Sequence, residues 1–518
     1  MAHTPGPPTG NQPRRDDVLV VKGVGEKRTP GQWAILIGIP GLLVVVGVVV
    51  VLALTHTRPQ VKVQSRATQQ TPGAPQAAAP AAGQPRTGAP TATSPAGTPG
   101  ATTVPDTAGT TPSPAPTTSA GAAVNVSGAA VWEGFRGPGR MNISGEALAR
   151  TFPASGPRRL WQLPLGEGHA GAAVYKGRVY VLDYNAGARR DELKCLDLSS
   201  GKQLWSQGYS VDIKSNHGMS RTVPAVDGNY VVTLGPMGQV MCCEANSGKM
   251  VWKKDLVAEY GTRVPTWYAG QCPLIENNNA IIAPGGKALM IALHLPTGKV
   301  TWSTPNPRGW QMTHSSIMPV QFGGKRIYVY PASGGVVGVN ARNGQLLWST
   351  PEWTVNTANV PTAVPLGNDG RIFVCGGYNA GAAILQMGSG GTSVKMVKRI
   401  RPNTFQSHQQ TPILYQGHLY GVRMPGDLVC LDLNGNVVWS SGNTARFGIG
   451  PYVMASGVLY VLGDTGDLAI VEANPSGYRQ LGKAKVLTGA DAWAPIAVAD
   501  GKLICRDSTT MVCLDMRR

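Results

Sequence analysis

Cys-x-x-Cys does not occur in these 518 residues, although the chain has eight cysteines. Its absence removes c-type haem attachment, which needs Cys-x-x-Cys-His, and thioredoxin-like redox chemistry. No run of acidic residues has the spacing of a Ca²⁺ loop. No nucleic-acid motif accompanies the formal net charge of +18. The positive balance therefore reads as a solvated basic surface, or as a match for an anionic envelope polymer, with nucleic acid excluded as a partner. The cysteines show no spacing that argues for a disulfide framework.

Long apolar runs are absent too, with one exception. Residues 1–32 are polar and lack apolar periodicity, which predicts a disordered tail. Residues 33–54, Trp33 to Leu54, carry no charge over 22 residues. That is enough for a bilayer-spanning helix, which needs about 20. The polar stretch before it is too long for the n-region of a cleaved signal peptide, so the run reads as a transmembrane signal-anchor with the membrane as its partner. Lys22, Lys27 and Arg28 make the preceding side the more basic one. This places the N-terminus in the cytoplasm and the rest beyond the cytoplasmic (inner) membrane, in the periplasm or outside the cell. Residues 55–128 are dominated by Thr, Ala, Pro, Gly, Ser and Gln, a composition that cannot bury a core and makes a disordered stalk.

What fills 129–518 is a repeat. Cys195–Trp205 reads CLDLSSGKQLW, and related stretches return at Cys242–Trp252, Ala292–Trp302, Gly338–Trp348 and, one residue shorter, Cys430–Trp439. Trp205, Trp252, Trp302 and Trp348 recur at intervals of 46–50 residues. A period of about 40–50 residues built from short strands marks a β-propeller, whose blades must stack because none can cover its own faces. Each copy assigns roles. Position one is small. Asp197 and Asp432 sit where a carboxylate can accept from turn amides. Gly201, Gly248, Gly298 and Gly344 take the turn position that favours φ > 0. Trp161, Trp205, Trp252, Trp302, Trp348 and Trp439 are expected to end the outer strands and plug the gap to the next blade.

Eight hairpin patterns can be counted, opening near Ala173, Pro224, Pro273, Pro319, Pro361, Pro412, Pro451 and Pro495. The last unit stops at Cys513-Leu-Asp-Met-Arg-Arg518 with no fourth strand. Arg158–Leu165 supplies one, with Trp161 in phase with the repeat. The expected fold is all-β, an eight-bladed β-propeller, monomeric, whose N-terminal strand closes the last blade and removes the exposed sheet edge.

The pattern on these residues resembles the tryptophan-docking repeat of the quinoprotein-like (PQQ-like) eight-bladed propellers. Trp132-Glu-Gly-Phe-Arg-Gly-Pro-Gly-Arg140 also resembles an opening seen in bacterial proteins of that group. The resemblance covers about 155–518 and implies the fold more than an activity. It spans PQQ-dependent alcohol and sugar dehydrogenases and cofactor-free members, such as the propeller lipoprotein of the outer-membrane barrel-assembly machinery. In the dehydrogenases a quinone lies over Ca²⁺, between a Trp and a disulfide of adjacent cysteines. Cys242-Cys243 is the only adjacent pair here. Cys242 occupies position one of the repeat, and Cys243 should point to the opposite sheet face. The pair reads as repeat filler, and no cofactor and no metal are expected.

Loops leading into the inner strands converge on one mouth of a propeller. They carry His169, His217, Arg221, Trp267, Gln271, His314, His408, Gln409, Arg446, Asp491 and Trp493, including four of the eight histidines. Such a ring suits an anionic or sugar-like ligand. No catalytic set is recognisable. The reading is a membrane-anchored extracytoplasmic propeller that binds or scaffolds envelope proteins or polymer. The alternatives are a PQQ-dependent dehydrogenase and a ligand-sensing propeller.

Overall fold

The computed structural model describes residues 131–518. The expected tail, membrane span and stalk all lie outside them. Among the described residues no helix is long and apolar enough to cross a membrane.

Eight antiparallel sheets follow one another along the chain. The first blade is Ala172–Tyr175, Arg178–Asn185, Arg190–Asp197 and Gln203–Ser210. The inner strands of the other seven begin at Ala225, Leu274, Met318, Val364, Ile413, Tyr452 and Ala497. All lie within a few residues of the expected hairpin openings. Middle strands such as Asp427–Leu431 and Val458–Leu462 are buried along their whole length, because each face meets a neighbouring blade. The outer strand Val394–Ile400 alternates instead, with Lys395, Val397 and Arg399 on the exposed face.

Arg158–Pro164 pairs antiparallel with Thr510–Asp515, so the start of the folded chain completes the eighth blade. Trp161 faces Cys513 across this ladder, as Trp205 faces Cys195, Trp252 faces Cys242, Trp302 faces Ala292, Trp348 faces Gly338 and Trp439 faces Cys430. This explains the small residue at position one: it lies opposite an indole. In each ladder a bulge follows the pair. The tryptophans do not end the outer strands: each of the six is followed by further strand residues, from one after Trp439 to five after Trp205 in Gln203–Ser210. The strand continues because its partner Arg190–Asp197 still offers ladder groups to pair with.

Four of these indoles cover the turn glycine of the following blade. A Cβ on Gly201, Gly248 or Gly298 would come within 2.8, 2.5 and 2.8 Å of Trp161, Trp205 and Trp252, and Gly344 lies likewise under Trp302. The four glycines have φ of 66–74°, so position seven is fixed both by backbone conformation and by the indole above it. Asp197 accepts from the amides of Ser199 and Ser200, and Asp432 from those of Asn434 and Asn436. All eight cysteines are buried free thiols. Cys242 and Cys243 face different hydrophobic clusters, as alternation along a strand requires.

The Trp132–Arg140 motif builds something the repeat does not explain. With the residues just after it, it forms a plug across the ring. Trp132 pairs with Val174 of the first blade, and the Glu133 carbonyl accepts from Val226 of the second. Arg140 donates to the carbonyls of Pro273 and Ile317, leading into the third and fourth blades. Arg136 donates to Thr411 (2.8 Å) and Pro412 (3.1 Å), leading into the sixth. Ile143–Ser144 then adds a parallel strand to the innermost strand of the seventh. One short segment thus ties six blades together, three through two buried guanidiniums and three through its backbone.

Candidate functional site

The mouth cavity has a volume of about 120 Å³, opens to solvent and is floored by Phe135 of the plug. Seven of the eleven residues expected there line it: His169, Arg221, Trp267, His314, His408, Gln409 and Trp493. Loops into different blades carry them, so the ring closure and not the sequence order brings them together.

The other four lie elsewhere. Gln271 is fully buried and turns into the blade, where its amide donates to the Ala283 carbonyl and Tyr330 hydroxyl while its oxygen accepts from the Ala283 amide. It satisfies a loop backbone rather than a ligand. His217 is exposed on the rim, edge-on to Trp267 at 5.8 Å. Arg446 is also exposed and donates to Asn443 Oδ1 (2.6 Å). Asp491 serves the backbone, its carbonyl accepting from the Trp493 amide at 2.7 Å.

Tyr378 is the main addition. It sits in the turn between the second and third strands of the fifth blade, which opens on the same mouth as the loops into the inner strands. Its ring stacks on His408 at 4.7 Å and 5°, and faces Trp267 at 6.3 Å and 24°. Only loops leading into inner strands suggest themselves from the repeat frame, so the within-blade turns are overlooked. The signal available is the Gly376-Gly377-Tyr378-Asn379 stretch, a turn with an aromatic at its tip.

Backbone strain gathers at this mouth. His217, Trp267, Tyr268 and Tyr378 hold φ between 54° and 73°, a region bulky side chains rarely enter. Tyr268 is pinned there by its hydroxyl, which accepts from the Lys214 amide and donates to the Lys214 carbonyl. Trp267 is carried along by the same loop and set over the cavity.

Burial disfavours the charged form of the three imidazoles that line the cavity. Burial pushes His169 down to about 3, helped by the Arg221 and Arg506 cations. Burial and Arg221 push His314 down to about 4, and its Nε2 donates to the Thr266 carbonyl at 2.8 Å. Burial also lowers His408. Arg221 keeps its charge, with its pKa lowered by burial to about 10. The mouth therefore offers one guanidinium, amides from Gln409 and Gln410, the Ser316 hydroxyl, neutral imidazoles and an aromatic wall.

Among the described residues no three His, Cys, Asp or Glu side chains gather as a metal site. The mouth lining holds no carboxylate to carry Ca²⁺ or to act as a base. Cys242 and Cys243, free and in blade cores, offer no disulfide to stack on a quinone. These residues do not fit PQQ with calcium.

Residues 189–434 match the family model described as outer membrane protein assembly factor BamB. A BamB of Moranella endobia (strain PCIT) is 24% identical over 337 residues, covering 61% of this chain and 70% of that protein. A BamB of Yersinia pestis is 24% identical over 378 residues, covering 68% and 88%. Among solved structures, a europium-containing methanol dehydrogenase superposes with a TM-score of 0.54 at 12% identity, over 74% of this chain and 89% of that one. At that identity the likeness shows the fold alone.

Proposed function

We infer, for a propeller that resembles the outer-membrane assembly factor BamB and the PQQ-type propellers in its repeat, a binding and scaffolding role in the cell envelope. The mouth face holds envelope components, proteins or an anionic polymer, outside the cytoplasmic membrane, and residues 33–54 anchor the chain there. One observation carries this reading. The residues that recur between blades are all engaged in building the ring, while the mouth collects residues that differ from blade to blade and include no carboxylate. That is the distribution of a recognition surface on a rigid frame.

Photo-crosslinkers at His217 and Arg446, both exposed on the mouth side, test it in intact cells carrying the full chain. Capture of a defined envelope component from these positions and not from Lys483, on the outer strand of the seventh blade, is expected. Recovery of none counts against scaffolding. Stoichiometric binding of PQQ and Ca²⁺ with dye-linked alcohol oxidation would sink it. The anchor has its own test: protease added outside spheroplasts should cut between 55 and 128 and release the propeller, and protection of the domain refutes the orientation.

A further inference from the structure

We propose that the mouth cavity binds an acidic sugar, a pyranose bearing one carboxylate, with the carboxylate on Arg221 and the ring against the Trp267–Tyr378 wall. This rests on the reading of the mouth as the binding face and names what it takes.

The anion follows from Arg221. Its guanidinium lines the cavity. One nitrogen, Nη2, is committed to the carbonyls of Asn216, His217 and Gly218. The Nε is buried and has no partner. Arg221 enters none of the ion pairs of the described residues. Arg221 is only partly buried, but a guanidinium with a buried free Nε and no carboxylate partner is stabilised when an anion meets it. The Nδ1 of His169, 93% of whose surface is buried, is a second orphan on the same cavity. The remaining lining has no carboxylate to repel such a ligand.

The ring follows from the wall. Trp267, Tyr378 and His408 present near-parallel faces, suited to the apolar face of a pyranose. Hydroxyls on its edge meet the Gln409 amide, the Oε1 of Gln410, whose Nε2 is held by the Ile449 and Trp493 carbonyls, and the Ser316 hydroxyl, which already accepts from the Cys272 amide. An aromatic carboxylate would leave those groups unanswered, which lowers its affinity.

Titration calorimetry on the full-length chain in detergent, with glucuronate, glucose and benzoate as probes, tests the assignment. Saturable glucuronate binding is expected, with glucose and benzoate each at least about tenfold weaker. Arg221→Gln should weaken glucuronate by about ten- to a hundredfold and leave glucose unchanged, the range for hydrogen bonds to a charged group. Because Arg221 also holds three carbonyls, Trp267→Ala supplies a second variant, expected to weaken glucuronate and glucose by the same factor. A uronate-terminated oligosaccharide that binds tighter than glucuronate supports a site for the end of an anionic glycan, and equal affinity supports a site for the free sugar acid. Absence of saturable glucuronate binding overturns the proposal. So do equal affinity for benzoate, indifference of glucuronate to both variants, or stoichiometric PQQ bound with Ca²⁺. If glucuronate fails while rim crosslinks persist, the ligand class falls and the scaffold stands. If both fail, the reading beneath them falls as well.

Discussion

Trp161 and Cys513 face each other across the ladder that joins the two ends of the propeller, 352 residues apart in sequence. Trp161 also donates from Nε1 to the Leu198 carbonyl at 2.9 Å and covers Gly201 of the first blade. One side chain therefore helps to close the eighth blade and to seal it to its neighbour. Trp161→Ala should lower unfolding stability by about 3–5 kcal/mol, the range for a buried Trp. Urea denaturation followed by far-UV dichroism measures it. A loss below about 1 kcal/mol would mean that closure does not depend on this latch.

The turn glycines make a sharper case. Gly248 has φ 74°, and a Cβ there would lie 2.5 Å from Trp205. Gly248→Ala should destabilise by about 2–4 kcal/mol, from backbone strain and overpacking together. Trp205→Ala opens the space, so in the double variant the glycine substitution should lose most of its overpacking part. The coupling in a double-mutant cycle should be about 1 kcal/mol or more. Additive effects would show that the indole does not press on the turn.

The ring was legible because it is periodic. Gly201, Gly248, Gly298 and Gly344 answer one geometric demand four times, and the Trp161 strand could be assigned to the last blade by phase alone. The mouth is aperiodic, so position in the repeat could say which loops face it but not where a side chain points. Gln271 turned inward to satisfy Ala283, and Tyr378 entered from a turn type the frame did not single out. The plug was hardest. Arg136 and Arg140 look like surface cations in sequence, and only the closed ring supplies the carbonyls that bury them.

Asp191 gives the fold a pH dependence with a definite sign. It is fully buried and accepts from Tyr209 (2.7 Å) and Ser220 (2.6 Å). Burial nevertheless raises it from an ordinary 3.8 to about 6. A raised folded pKa means the native state holds the proton more tightly than the unfolded chain. The associated stability is complete below about 3.8 and is lost as pH rises through about 6. Asp191→Asn mimics the protonated group at every pH. The stability of the native protein relative to this variant should fall by about 2–3 kcal/mol between pH 4 and pH 7, at 1.36 kcal/mol per pKa unit. Urea titrations at four pH values check this. Parallel curves would mean that Asp191 does not ionise in that window.

The plug predicts cooperativity between blades that do not touch. Arg136 bonds to the carbonyls of Thr411 and Pro412, while Arg140 bonds to those of Pro273 and Ile317. Both side chains are buried, so removing either leaves carbonyls just ahead of the inner strands without donors in a space closed to water. Each orphaned carbonyl costs about 1–3 kcal/mol, so Arg136→Met should lose about 2–5 kcal/mol overall despite sparing a buried charge. The consequence is local as well as global. Hydrogen exchange should quicken first at the amides of 413–415, on the inner strand beside the lost bonds, and in Arg140→Met at 274–276 and 318–322. If exchange instead rises uniformly around the ring in both variants, the segment acts as filler for the channel and not as a set of separate ties between blades.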